Sequence, residues 1–150
     1  MASAEPLPHP RSPLSRQRVL EAAVRLADAG GLDALSMRKL GQELGVEAMS
    51  LYNHVANKED VHAGMVELVM AEFELPPTGA DWKAAIRAAS LSAHAALVRH
   101  GWASTLMMRV TSVSETRLRW NEWVLRTLRV AGFSPNLTHH ADHQLEIHIT

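Results

Sequence analysis

A chain of 150 residues that is 47% hydrophobic and 21% charged, with no apolar run near the ~18 residues that cross a bilayer, reads as globular with no membrane span. There is no cysteine for disulfides or thiolate-bound zinc, and the first 15 residues lack the apolar stretch of a secretory signal, so a cytoplasmic address is expected by default. The net charge of −1 excludes a uniformly basic coat protein for nucleic acid; the balance is +1 over residues 1–58, −2 over 59–110 and 0 over 111–150, so any DNA-binding surface must be local.

Residues 1–15 carry four prolines and little apolar material, the composition of a flexible arm. From Arg16 the spacing of Val19, Ala22, Ala23 and Leu26 predicts a first helix that stops at Gly30-Gly31. Ser36 is placed to cap a second, with Met37, Leu40, Gly41 and Leu44 as its buried stripe and Gly45 as its end. A third, short helix is expected from Glu47 to His54, packing through Leu51, Val55 and part of Tyr52. Asn57, with Asp60 three residues on, caps a fourth that is expected to run from Lys58 to about Leu75 and to end at Pro76-Pro77.

A helix follows from near Asp81 to about Arg99, with Trp82, Ala85, Ile86, Ala89 and Ala93 inward and His100-Gly101 closing it. The segment Trp102 to Val110 is short and apolar. Ser112 with Glu115 gives a capping-box pattern for a helix through Leu118, Val124, Leu125 and Leu128 that ends at Gly132. Ser134-Pro135 opens another, and no stop signal precedes Thr150, the pattern expected of a chain cut within a helix. No strand-like alternation and no internal repeat occur, so the fold class is all-α. Residues 16–60 form a three-helix unit, and residues 61–150 a helical domain reached through the long fourth helix.

The second and third helices, joined by a tight turn at Gly45-Val46-Glu47, have the form of a helix-turn-helix whose second helix fits the major groove. With Leu51 and Val55 inward, Ala48, Met49, Ser50, Asn53 and His54 project outward. Ser50 and Asn53 can bond base edges or phosphate, His54 can donate to phosphate, and Met49 can meet a thymine methyl. Arg38 and Lys58 flank this face as candidate phosphate contacts. Spacing alone also fits a generic pair of packed helices with no DNA role.

The residues go further than spacing. Ala22, Ala23, Leu26 and Gly30, the run Arg38 to Val46, and the run Leu51 to Lys58 together resemble the DNA-binding segment of the TetR family, the tetracycline-repressor type of bacterial regulators, strongly over residues 16–60. The resemblance implies a homodimer in which Arg38, the recognition-helix residues, Tyr52, His54 and Lys58 touch a double-stranded DNA operator, Tyr52 and Lys58 on phosphate, and a C-terminal helical domain that binds an inducer. The turn Ala131 to Ser134 is also similar to that of the tetracycline repressor. Ala48, Met49 and Asn53 differ from the residue types there, so its operator does not carry over. The apolar segment around Trp102 to Met108 lacks the polar and histidine set for magnesium–tetracycline, so a different and largely apolar inducer is expected.

Trp102, Leu106, Met107 and Met108 are candidate pocket walls, with ordinary core packing as the alternative. For Trp82, Trp120 and Trp123 packing is the expectation. His139 and His143, one helical turn apart, with His140 and Asp142, invite a metal reading, but no fourth ligand stands at a fitting spacing, and surface or interface histidines are expected instead. His94, His100 and His148 receive no role. Arg117, Arg119, Arg126 and Arg129 read as a solvated helix face rather than a second DNA-binding strip. No nucleophile–base pair, phosphate-cradling glycine loop or cofactor motif supports an enzyme. The expected function is a ligand-responsive dimeric repressor, with a co-regulator of the same fold lacking operator reading as the alternative.

Overall fold

The computed structural model describes residues 13–79, 81–110 and 114–141. Among them the chain is all-helical, as expected: α1 (Arg16–Gly30), a short 3-10 turn (Leu32–Ala34), α2 (Met37–Leu44), α3 (Ala48–Leu51), α4 (Lys58–Ala71), α5 (Trp82–Arg99), α6 (Ala103–Arg109) and α7 (Glu115–Val130). The backbone is helical again over residues 135–141. Of the expected N-terminal arm, residues 1–12 lie outside the described residues.

Local chemistry sets most helix starts. The hydroxyls of Ser15 and Ser36 accept from the backbone N–H of Arg18 at 3.3 Å and of Lys39 at 3.2 Å. The Asn57 side chain accepts from Asp60 N at 2.8 Å. Each satisfies one of the donors that a helix start leaves open. Asp81 does the same for Ala84, and Ser134 for Leu137 ahead of residues 135–141.

α4 is the central element, packed against α1, α5, α6 and α7. Val61, Met65, Val66, Val69 and Met70 bury into these neighbours. At Gly64 the fit to α1 leaves no room for a side chain: a Cβ there would sit 2.6 Å from both methyl carbons of Leu20. A similar close approach forms the turn between α2 and α3, where a Cβ on Gly41 would meet the Val46 carbonyl oxygen at 2.8 Å. Gly45, at φ 69° and ψ 34°, ends α2 in the left-handed region.

Four expectations change. α3 has regular helical form only over Ala48–Leu51, not from Glu47 to His54. Its continuation is a set of turns in which Tyr52, Asn53 and His54 each donate to the carbonyl three residues back. α4 stops at Ala71 rather than Leu75, so it spans about 21 Å at 1.5 Å per residue. Tertiary contacts account for this. Phe73 turns into the core and meets Trp120 edge-on at 5.5 Å, Glu74 N–H donates to Ser92 Oγ at 2.9 Å, and the Pro76 carbonyl accepts from the Trp123 indole at 2.6 Å.

α7 is capped by Ser114, whose hydroxyl accepts from Arg117 N at 3.2 Å, and Ser112 lies outside the described residues. Leu118 and Leu125 are on the outer side of α7, while Trp120, Trp123, Val124 and Leu128 are inward. Arg117 is not part of a solvated face. Its guanidinium donates to the Val110 and Met107 carbonyls at 3.3 and 3.2 Å, closing the end of α6.

Gly45→Val places a β-branched side chain in the left-handed region, at a strain of about 1–2 kcal/mol or more. Thermal denaturation should show a clear fall in melting temperature, with a much smaller fall for Gly45→Asn. Equal melting of the valine variant and the parent would show that the turn rearranges without cost.

Candidate nucleic-acid interface

The outward face of α3 is held by few groups. Leu51 and Val55 are buried beneath it. Above them, Met49 is 76% and Tyr52 45% exposed. Asn53 and Arg38 are exposed, and Ala48, Ser50, His54 and Lys58 are half-buried. All eight sequence-predicted residues therefore fall on α2, on α3 with its turn, or at the start of α4, and each keeps at least part of its surface open.

A clamp that sequence reasoning missed fixes this face to its supports. The guanidinium of Arg16, the first residue of α1, donates to both carboxylate oxygens of Asp60 on α4, at 2.7 and 2.6 Å. It also donates to the His54 carbonyl at 3.3 Å. Asp60 accepts a further bond from Ala56 N at 2.8 Å. α1, the end of the turn after α3 and the start of α4 thus meet in one charge-assisted set. The Arg16 hydrogen bond, aided by that of Ala56, holds the Asp60 carboxyl below its ordinary range, and the same pairing raises Arg16.

The four residues expected to line a pocket separate. Trp102 and Leu106 are buried, Met107 is half-buried, and Met108 is 77% exposed on the outer side of α6. Trp102 is tied to α1, its indole N–H donating to Asp28 Oδ1 at 2.7 Å. Two buried polar atoms, His62 Nε2 on α4 and Asn121 Oδ1 on α7, have no hydrogen-bond partner among the described residues. Burial, followed by the positive charge of Lys58, holds the His62 pKa below the ordinary histidine value, and Arg109 of α6 acts in the same direction.

His139 and His140 are exposed, and Asp142 and His143 lie outside the described residues. Among the described residues no group of three His, Asp or Glu side chains is placed to hold a metal ion. None of the described helices is long and apolar enough to cross a membrane.

Two family models cover most of the chain. Residues 19–63 match that of the bacterial regulatory proteins of the tetR family, and residues 75–150 match that of the tetracyclin repressor-like C-terminal domain. The chain belongs to the TetR family. It is 36% identical over 121 residues to an HTH-type transcriptional regulator of Saccharopolyspora erythraea, covering 80% of this chain and 51% of that protein. It is 35% identical over 127 residues to the HTH-type transcriptional repressor DrrR1 of Streptomyces coeruleorubidus, covering 83% and 47%. It therefore spans about half the length of these TetR-family relatives. Its structure resembles that of the Streptomyces coelicolor TetR family protein ActR in complex with actinorhodin, with a TM-score of 0.85, 27% identity, and 92% of this chain and 65% of that one covered.

The clamp gives an acid-range prediction. A carboxylate whose folded pKa is lowered contributes stability that is present above its unfolded value and is lost as pH falls through the folded one. Asp60→Asn should lower the melting temperature at pH 7, by no more than about 1 kcal/mol in stability for so exposed a pair. It should also make the loss of stability below about pH 4 shallower than in the parent. Melting curves between pH 2 and pH 7 that run parallel for the two proteins would remove Asp60 from the acid response.

Proposed function

We propose that this TetR-family protein is a dimeric repressor that reads a double-stranded operator through α3 and its turn, and is released by a small, largely apolar inducer. The observation that carries the reading is the α3 face itself. A stretch anchored from below by Leu51, Val55 and the Arg16 clamp turns Ala48, Met49, Ser50, Asn53 and His54 outward. Arg38, Tyr52 and Lys58 border it as phosphate contacts. A co-regulator without operator reading would have no use for a polar, cation-flanked face of this kind, and the family is one of regulatory proteins.

The inducer half rests on α6. Leu106, Met107 and Trp102 would supply apolar wall, and His62 and Asn121 hold buried polar atoms that a ligand could satisfy. The complex of the similar ActR with actinorhodin supports a small-molecule ligand for this chain. Because α6 packs on α4, and α4 on α1, a ligand that moves α6 acts on the element that carries the reading head. The homodimer and the cytoplasmic location belong to the same proposal.

Selecting bound fragments from random duplex DNA tests binding and returns the operator together. On that operator, Lys58→Ala should weaken binding to all sequence variants alike and reduce the slope of log affinity against log salt by about one unit. Ser50→Ala or Asn53→Ala should instead change preference at particular base pairs, by about 1–3 kcal/mol for each base-edge interaction removed. Uniform weakening by the latter pair would move them to the phosphate-binding group.

Linkage gives the test of control. An inducer that releases DNA must bind more weakly in the presence of operator, by the same factor with which it weakens operator binding, on the order of 5–150-fold. Titrating candidate apolar compounds with and without operator measures both factors. Met107→Ala should change ligand affinity and leave ligand-free operator affinity nearly intact. Equal ligand binding with and without DNA would end the inducer reading while leaving the DNA-binding one standing.

A further inference from the structure

Away from the reading face, one buried side chain joins three parts of the fold. His100 closes α5, and its side chain is only 7% exposed. Its Nδ1 lies 2.8 Å from Asp28 Oδ1 near the end of α1, and its Nε2 lies 3.1 Å from Glu72 Oε1 at the end of α4. The Trp102 indole N–H donates to the same Asp28 oxygen at 2.7 Å, and the two rings lie 5.9 Å apart. The backbone fixes the ring's position, since His100 N–H donates to the Ala96 carbonyl at 2.9 Å and the His100 carbonyl accepts from Ala103 N at 2.7 Å. His100 therefore sits at the corner where α5 passes into α6.

The proton count follows from the partners. A neutral imidazole has one N–H and one lone pair, so it can donate to one carboxylate and must turn its lone pair toward the other. The imidazolium donates to both, and hydrogen bonds between ionised groups are about twice as strong as neutral ones. The charges around the ring are Asp28 from α1, Glu72 from the end of α4, and Arg99 from α5, which is paired with Glu72. Two cations thus face two anions only when His100 is charged. Glu21 and Arg25 of α1 line the open groove that also borders Glu72, and Arg25 is paired with Glu43 at 3.9 Å.

We propose that His100, held between Asp28 and Glu72, is a positioning residue that locks the α5–α6 corner to the reading head, and that breaking these bonds loosens the head and lowers operator affinity. The affinity half rests on the operator reading proposed above.

The test uses the full chain, with the selected operator duplex where one is obtained. Ring nitrogen and proton NMR on the DNA-free protein should show both His100 nitrogens in hydrogen bonds. His100→Gln, which can bond only one of the two carboxylates in the same way, should lower operator affinity by about fivefold or more, the low end of coupling between sites. Asp28→Asn still accepts from Trp102 but weakens the hold on the ring, and it should lower operator affinity in the same direction. It serves as the second variant should His100→Gln fold poorly. The two substitutions together should cost little more than His100→Gln alone, because both break one lock. A His100 ring with an unbonded nitrogen, or parental operator affinity in both variants, would overturn the proposal. If no duplex binds, operator reading has failed, and the lock is decided by the ring spectra and by whether both variants melt below the parent.

Discussion

The structure depends first on the contact of α1 with α4 at Leu20 and Gly64. With no Cβ at Gly64, the Leu20 side chain seats directly on the α4 backbone, and α1 lies close enough for Arg16 to reach Asp60 at the other end of the contact. Interiors this tightly packed transmit displacement rather than absorb it. The three-helix head and α4 therefore behave as one body, and a shift of α4 is a shift of the head.

Polar groups serve the same end at the limits of that body. Arg16, Asp60 and the His54 carbonyl join the head to the start of α4, while Asp28, Glu72, His100 and Trp102 join it to the end of α4 and the start of α6. Apolar burial supplies the bulk of the attraction, and it is indifferent to direction. Hydrogen-bonded charges supply the angle, because their partners must meet within about 3 Å.

What was legible in the sequence was whatever the chain decides within one helical turn. Ser36, Asn57 and the left-handed Gly45 act on neighbours three residues away or fewer, and all three do in the structure what their chemistry predicts. The start of α7 lies off the local pattern, because Ser112 has an acidic residue three positions on, whereas Ser114, which forms the cap, has Arg117. Larger errors came from distance. Arg16 and Asp60 are 44 residues apart, and Asp28 and His100 are 72 apart. No local pattern marks either pair, and His100 received no role for that reason. The early end of α4 likewise follows from Trp120, Trp123 and Ser92, which lie far along the chain from the residues they redirect. The exposure of Met49 and Asn53 was readable because it needs only the helical period and the buried anchors Leu51 and Val55.

The one-turn length of α3 bears on how such a protein can change. Regular helical form covers only Ala48–Leu51, and what keeps the segment in place is Leu51, Val55 and a main-chain oxygen gripped from α1. Met49 and Asn53 take no part in that grip, so exchanges there leave the scaffold's stability close to its starting value, as surface substitutions usually do. Selection can therefore rewrite the chemistry presented at these positions while the framework stays fixed, and a lineage of duplicated copies can diverge in what each presents there without first having to gain stability.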